Sequence, residues 1–308
     1  MIKPETLDFP PLNCSLAREL GDYYQDFSPA IRLVEEGYHG AMDADGVPMI
    51  AIDTGSFHNP ISIAQYALAN MTAFRRGDES RAVRARTQLD WLVGAQCREG
   101  EWAGCWVMRH DNPKYPWLRA PWSSALASGN ALSALLRGSE LFGDEAYAEA
   151  GRLAYEGLHA ARGQELCEDT GSELWYEEYP ATPAMHVLNG HVYCLFGVAD
   201  YARVSGDPVA DARWRRAAAT ALSRLGEFDL GYWSAYDLRW HEPVTLHYQK
   251  NIHVPQMRIL AALTGEPGFT VVADRWEGYW NSRLSRIRWY IGVRVHARRA
   301  QVPWREGD

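Results

Sequence analysis

Apolar residues recur with a helical period along most of the chain after Asn59. In the first such run, one side of a helix would carry Ile63, Tyr66, Ala67 and Phe74. The next run has the same period, with one face formed by Val83, Leu89, Leu92 and Val93. Two amphipathic helices joined by a short turn bury such faces against each other. The pattern therefore predicts a helical hairpin.

This helical hairpin recurs along the chain. A glycine followed by an acidic residue separates the two runs of each unit, at Gly77-Asp78, Gly143-Asp144, Gly206-Asp207 and Gly265-Glu266. Each unit also has an asparagine, at Asn59, Asn130, Asn189 and Asn251. Successive turns lie roughly 60 residues apart, and a glycine–acid pair ends one helix and starts the next. Because such units pack on one another, the sequence predicts a mainly α protein, an α/α barrel (toroid) of about four helical hairpins.

The helical period divides the chain into three parts. Residues 1–58 are rich in turns and are predicted to form an irregular segment with short strands, packed on the main domain. Residues 59–286 form the α/α domain, with short β-hairpins in its links, and residues 287–308 form a basic tail. The arginines of this tail favour a solvated terminal helix, or alternatively a rim surface for an anionic chain.

A turn is predicted in the N-terminal segment at residues 43–46 (DADG), where Asp-Gly favours a hairpin between short strands. The same residues are similar to the start of a calcium loop. The acidic ligands that should follow Gly46 are absent, so no metal site is predicted.

Composition excludes several classes of function. The net charge is −8 and no basic stripe dominates, which argues against nucleic-acid binding. The five cysteines are scattered without metal-ligand spacing, as expected of reduced thiols. No run of about 20 apolar residues is present, so no membrane span is predicted. The start has no visible secretory signal, which favours a cytoplasmic location.

The most informative stretch is 175–183 (WYEEYPATP), which combines acids, phenols and prolines. Pro180 and Pro183 prevent a helix and favour extended backbone. Extended geometry predicts that Glu178 and Tyr179 point to opposite faces. Links between helical runs gather at one rim of a toroid, so Tyr179 and Tyr236 are expected to converge there. The alternative is a loop that caps a helix and buries its aromatic residues.

Six runs together resemble a known family: 59–66 (NPISIAQY), 127–131 (ASGNA), 175–183 (WYEEYPATP), 187–190 (VLNG), 236–239 (YDLR) and 253–257 (HVPQM). In this order, over roughly residues 55–285, they look like the C-terminal catalytic domain of D-glucuronyl C5-epimerases. That family converts D-glucuronate to L-iduronate within heparosan-type polymers, on an α/α barrel. The resemblance implies an isomerase that acts on an anionic polysaccharide or oligosaccharide and needs no cofactor.

The family's functional residues fall on specific positions of this chain. The resemblance implies that Glu178, Tyr179, Tyr236 and Tyr248 are catalytic. It also implies substrate-binding residues, for which the candidates are Arg239, His253, His247, Asn189, Trp122 and Arg119. Arg239 in particular would hold the uronate carboxylate by a bidentate contact.

One position departs from the family pattern. The third family tyrosine lies four residues before a histidine that matches His253. Here Tyr248 lies five residues before it, and Gln249 occupies the expected position. Either a one-residue bulge restores Tyr248, or the third phenol has moved.

The chemistry explains why these residue types are needed. Inversion at C5 needs a base on one face of the sugar and an acid on the other, and it needs cations near the developing enediolate. A polysaccharide lyase or a uronate-acting hydrolase would use a similar set, and a non-catalytic glycan-binding protein is a third interpretation. Each residue also has a structural alternative, such as a core histidine at His253 or a surface ion pair at Arg239. A homodimer is left open.

Overall fold

The protein is described from a computed structural model, which covers residues 7–38, 40–161 and 165–300. The helices are α1 Ile31–Glu35, α2 Pro60–Arg75, α3 Arg81–Ala95, α4 Ala125–Phe142, α5 Glu145–Leu158, α6 Leu188–Ser205, α7 Pro208–Arg224, α8 Leu246–Tyr248, α9 Val254–Thr264, α10 Pro267–Asn281 and α11 Arg283–Ala300. A short 3-10 turn, Ser28–Ala30, precedes α1, and a π-helical turn, Gln249–His253, joins α8 to α9. The chain is mainly helical, as predicted.

Two antiparallel β-hairpins accompany the helices. Strands β1, Met49–Ile52, and β2, Gly55–His58, pair in the N-terminal segment, and β3, Cys167–Asp169, pairs with β4, Leu174–Tyr176, between α5 and α6. Short hairpins were expected in these two kinds of segment, and this is confirmed. No helix of the described residues is long and apolar enough to cross a membrane.

The predicted helical hairpins are present, as α2 with α3, α4 with α5, α6 with α7 and α9 with α10. Gly143, Gly206 and Gly265 end the first helices of the last three pairs with φ of 67°, 68° and 74°. This left-handed region is open to glycine because it has no side chain. Asp144 and Asp207 then cap the next helix by accepting a hydrogen bond from a backbone N–H.

Helix α4 is central, because it packs against both α2 and α6. Glycines allow the closest approach: a Cβ at Gly129 of α4 would lie 2.3 Å from Cys194 Cα of α6, and one at Gly197 would lie 2.4 Å from the Gly129 carbonyl oxygen. Arg137 of α4 forms a fully buried ion pair with Asp200 of α6. Helix period alone predicts the helices but not this pairing, since both contacts depend on tertiary packing.

The N-terminal segment contacts both the first hairpin and the π-helical turn that precedes the last hairpin. Helix α1 and the 3-10 turn pack on α2, while Phe9 N donates to Asn251 Oδ1 at 3.4 Å. Gln25 donates to the carbonyl oxygen of Asn251 and accepts from Tyr193 Oη at 2.6 Å. The segment thus links the two ends of the hairpin series. A closed toroid stays a prediction.

The predicted hairpin turn at residues 43–46 is present. Asp43 accepts from the backbone N–H of Asp45 and Val47, and its own N–H donates to the Val47 carbonyl oxygen at 2.9 Å. The flanking chain pairs through one antiparallel bridge, between Met42 and Pro48. A second turn, after Ile52, joins the regular strands β1 and β2.

Helix α11 runs through the predicted boundary at residue 286 without interruption. Trp289 anchors it by donating from Nε1 to the Val244 carbonyl oxygen at 2.8 Å. The predicted terminal helix is therefore present. Trp304 and Arg305 of the predicted tail lie outside the described residues.

Candidate active site

Three candidate catalytic side chains form one hydrogen-bonded chain. Tyr236 Oη donates to Glu178 Oε1 at 3.1 Å, and the hydroxyl oxygens of Tyr179 and Tyr236 lie 3.2 Å apart. Because the single hydroxyl proton of Tyr236 points to Glu178, Tyr179 is the donor of the second bond. Glu178 is buried, Tyr236 is nearly so, and Tyr179 is partly exposed. The predicted convergence of Tyr179 and Tyr236 is confirmed.

The backbone explains why these side chains meet. Strand β4 ends at Tyr176 and the chain bends at residues 178–179. Alternation of faces belongs to continuous strand, so it does not extend through the bend. The expectation that Glu178 and Tyr179 point to opposite faces is therefore wrong. The segment that carries Tyr236 lies beside the start of α6, since Leu188 N donates to the Tyr236 carbonyl oxygen at 3.2 Å.

Because Gly190 has no side chain, it leaves the space that Glu178 occupies. A Cβ at position 190 would lie 2.5 Å from Glu178 Cβ and 2.6 Å from Glu178 Oε2. Oε2 itself has no hydrogen-bond partner among the described residues. Any larger residue at Gly190 would displace the carboxylate, which gives a physical reason for glycine in the run VLNG.

Burial determines which of these hydrogen-bonded side chains carry a proton. It raises the pKa of Glu178 to about 7, although the hydrogen bonds of the two phenols and the charge of Lys114 lower this pKa. Burial also raises the pKa of Tyr179, Tyr236 and Tyr248 above the ordinary phenol value. The phenols are therefore neutral in the unliganded site. Among the hydrogen-bonded side chains Tyr179, Tyr236 and Glu178, Glu178 is the one that can accept a proton near neutral pH.

Lys114 is a site residue that the sequence analysis missed. Its ammonium lies 4.4 Å from the centre of the Tyr236 ring and pairs with Glu242 Oε2 at 2.6 Å. It also lies 5.3 Å from the centre of the Tyr115 ring. Lys114 lies in the irregular segment between α3 and α4, far from Tyr236 in sequence. No local sequence pattern therefore predicts that it belongs to the site.

An aromatic wall lies beside Tyr179. Tyr115 meets the Tyr179 ring edge-on at 5.0 Å and stacks on Trp240 at 5.4 Å. Trp122, a predicted substrate-binding residue, is buried with its ring 6.0 Å from that of Tyr179. Such surfaces suit stacking against the apolar face of a sugar.

Arg239 lies at the edge of this wall. Its guanidinium is 4.9 Å from the Trp240 ring centre, and Nη1 donates to the Pro183 carbonyl oxygen at 3.0 Å. Burial lowers its pKa from the ordinary value. The rings of Trp240 and Tyr115 lie between Arg239 and Tyr179. The role of Arg239 in holding a carboxylate stays a prediction.

The π-helical turn Gln249–His253 adds one residue to the helical register. It is the one-residue bulge that the Tyr248 alternative requires. The Tyr248 ring meets the Tyr236 ring edge-on at 6.1 Å. Gln249, at the position where the family has tyrosine, is fully buried and bonded to Ser234 and to the Trp276 carbonyl oxygen.

Tyr248 also lines a cavity of about 620 Å³. His247 and Asn189 line the same cavity, whose other walls are mostly apolar residues of the N-terminal segment and α2. Asn189 Oδ1 is buried and has no hydrogen-bond partner in the described part of the chain. Tyr179, Tyr236 and Glu178 are not among the lining residues, so Tyr248 stands between the cavity and the hydrogen-bonded chain.

Two predicted substrate-binding residues lie elsewhere. His253 is fully buried, where Ser234 Oγ accepts from Nδ1 at 2.8 Å and the ring packs near Trp276. Burial lowers its pKa to about 3, so it is neutral. Arg119 is largely exposed and pairs with Asp111. In this structure neither residue reaches the phenol–carboxylate chain by a described contact.

The fold and the site together define a helical-hairpin protein in which two phenols and a carboxylate are linked by hydrogen bonds. A family model described as the D-glucuronyl C5-epimerase C-terminus matches residues 96–278, a range that contains every candidate site residue. A relative from Caenorhabditis elegans named D-glucuronyl C5-epimerase is 30% identical over 227 residues, which cover 67% of this chain and 36% of the relative. The chain therefore belongs to the D-glucuronyl C5-epimerase C-terminal family, and it spans about a third of the length of this curated relative.

Proposed function

We propose that this chain inverts C5 of D-glucuronate residues in a uronate-containing polysaccharide, giving L-iduronate by removal and return of one proton. The observation that carries the proposal is the hydrogen-bonded chain from Tyr179 through Tyr236 to Glu178. It links a partly exposed phenol to a carboxylate that titrates near neutral pH, within the fold of an epimerase family.

In the proposed first half-reaction, the C5–H bond breaks and its electron pair moves into the C6 carboxylate. The proton passes to a phenol oxygen of the chain while the hydroxyl proton of Tyr236 moves to Glu178. Glu178 is suited to this because its pKa near 7 makes it both a competent base and a weak acid afterwards. A mechanism that starts from a phenolate is less favourable, because burial raises the phenol pKa and so keeps Tyr236 protonated.

In the second half-reaction, a proton reaches C5 from the opposite face. Tyr248 is the proposed donor, because its ring adjoins Tyr236 from the side of the cavity. Proton exchange with water then restores Glu178 and Tyr248. Tyr179, Tyr236 and Tyr248 thus divide the two faces of the sugar between them.

The developing enediolate carries additional negative charge. Lys114 is well placed to offset it, because its ammonium lies over the Tyr236 ring. Arg239 would act at the rim, where its guanidinium packs on Trp240. Fixed cations in a partly dehydrated site stabilise such charge more than water does.

The test is incubation of heparosan-type glucuronate polymer with the chain in deuterated water. The expected result is deuterium at C5 together with iduronate, in the absence of new ultraviolet absorption. A lyase would instead give a 4,5-unsaturated uronate that absorbs in the ultraviolet. Binding without C5 exchange would overturn the epimerase proposal in favour of glycan binding alone.

A further inference from the structure

Three potential metal ligands from separate parts of the chain meet next to Glu178. They are Glu168 on β3, Glu177 just after β4 and His186 just before α6, and their ligand atoms all lie within 4.8 Å of one another. We propose that His186 Nε2 and Glu168 bind one divalent transition-metal ion of the Zn²⁺ type, while Glu177 holds the His186 ring in place. The site does not rest on the proposed epimerase reaction.

The first observation is the orientation of His186. Its Nδ1 lies 2.5 Å from Glu177 Oε1, and its backbone N–H donates to Glu177 Oε2 at 3.1 Å. A contact this short between a nitrogen and a carboxylate oxygen requires the proton on Nδ1. In the neutral ring, Nε2 then carries a free lone pair, which is the form that binds metals.

The second observation is what Nε2 faces. It lies 3.7 Å from Glu168 Oε2, which is too long for a hydrogen bond. Two ligands bonded to one ion at about 2.1 Å are separated by roughly 3.4 Å at a tetrahedral angle. A metal ion between Nε2 and Oε2 therefore fits this spacing after a small shift of the exposed Glu168 side chain.

The arrangement also has the usual support for a metal-binding histidine. A carboxylate that accepts Nδ1–H fixes the ring so that Nε2 points at the ion. Glu177 is buried and fixed by its contacts with His186, while the Glu168 side chain is 47% exposed. The two carboxylates carry a combined charge of about −2 beside a neutral ring, which a divalent cation cancels.

Ligand chemistry selects the class of ion. An imidazole nitrogen with carboxylate oxygens suits Zn²⁺ and neighbouring transition metals, whereas Ca²⁺ and Mg²⁺ prefer oxygen ligands throughout. Water would complete the coordination on the exposed side. Such an ion would tie β3 to the segment that carries Glu178 and Tyr179.

The sequence analysis predicts no metal site, and it does not single out positions 168, 177 and 186 as ligands. Only the hairpin of β3 and β4 and the return of the chain at His186 bring these residues together. The prediction of no metal site and the proposed site are distinguished by direct titration.

The experiment is calorimetric titration of the chelator-treated chain with ZnCl₂ alone, for the wild type and three variants. His186→Asn removes the ring, and asparagine tolerates the left-handed φ of 52° at this position. Glu168→Gln changes only a side chain that is half exposed, so folding is retained. His241→Asn is the matched control, since His241 is an exposed histidine with a similar φ of 51°.

The expected result is one saturable Zn²⁺ site in the wild type and in His241→Asn, with at least about 10-fold weaker binding in His186→Asn and Glu168→Gln. Circular dichroism confirms that each variant is folded. Absence of saturable binding in the wild type overturns the proposal, and so does unchanged affinity in both site variants. Either result would leave His186 as a hydrogen-bond partner of Glu177 with no bound ion.

Discussion

The hydroxyl oxygens of Tyr179 and Tyr236 lie 3.2 Å apart, although the two residues are separated by 57 positions in sequence. Tyr236 in turn donates a hydrogen bond to Glu178, whose carboxylate is buried against Gly190. The phenol of Tyr179, a residue of intermediate burial, is thus connected to a buried acid by two hydrogen bonds. In the proposed reaction, Tyr179 is the group that meets the substrate and Glu178 is the group that holds the proton.

Replacing Tyr179 by Phe removes one hydroxyl from this chain and keeps the ring. We expect C5 deuterium exchange to fall by about 10²–10⁴-fold, the usual contribution of general acid–base catalysis. The melting temperature should change little, because the lost hydrogen bond is worth about 1 kcal/mol. Tyr201→Phe is the control, since that ring stacks on Tyr155 outside the site. Normal exchange in Tyr179→Phe would exclude Tyr179 as a proton carrier.

Lys114 provides a prediction that only the structure supports. Lys114→Met keeps much of the apolar stem and removes the charge near Tyr236, so we expect turnover to fall by about 10²-fold. Lys114→Arg should recover part of it, because the charge returns with a different shape. Lys250→Met, which removes a lysine paired with Asp8, is the control. Equal activity of Lys114→Met and wild type would reduce Lys114 to a partner of Glu242.

Local patterns explain which parts of this structure the sequence predicts. The helical hairpins follow from apolar period, and their ends follow from glycines such as Gly143 and Gly206, because a left-handed cap depends on a single residue. The family resemblance predicted Tyr179, Tyr236 and Glu178 as residues of one site, and in the structure all three are joined by hydrogen bonds.

Features that depend on tertiary packing could not be predicted in this way. Lys114 lies in an irregular link and reaches Tyr236 only through the fold. The π-helical turn before α9 has no signature in the period of apolar residues, so the register of Tyr248 remained open. The bend after β4 likewise broke the expected alternation at Glu178, because strand period ends where pairing ends.

The contact between Gly190 and Glu178 can be tested by adding one methyl group. Gly190→Ala places a Cβ 2.5 Å from Glu178 Cβ, so the carboxylate or the helix start must move. We expect destabilisation by about 1–3 kcal/mol, as for overpacking in a core, and loss of most C5 exchange. Both are measured on the same sample by thermal melting and by deuterium incorporation.

Gly278→Ala is the matched control, because Gly278 is an exposed residue of α10 with no atom within 4 Å of an added Cβ. Alanine there should raise stability by up to about 1 kcal/mol through helix propensity. If Gly190→Ala behaved like Gly278→Ala, the close packing around Glu178 would be contradicted.

The raised pKa of Glu178 makes stability depend on pH in a definite direction. In the folded chain this pKa is about 7, against an ordinary value of 4.5. Between these values the folded state holds a proton that the unfolded state has lost, so this group makes stability fall as pH rises. The full cost above pH 7 is on the order of 3 kcal/mol, because one pKa unit corresponds to about 1.4 kcal/mol.

Glu178→Gln removes this dependence while keeping the shape of the side chain and an acceptor for Tyr236. We therefore expect the stability of Glu178→Gln relative to wild type to be greater at pH 8 than at pH 5, by on the order of 2–3 kcal/mol. Denaturant unfolding at both pH values measures this double difference, in which the contributions of other titrating groups, including the buried His191 and His253, cancel. Glu149→Gln, at a surface pair with Arg152, should show no such difference over this range. If the stability of Glu178→Gln relative to wild type were the same at pH 5 and pH 8, Glu178 would be ionised well below pH 7. The proton would then have to be held by another group of the site.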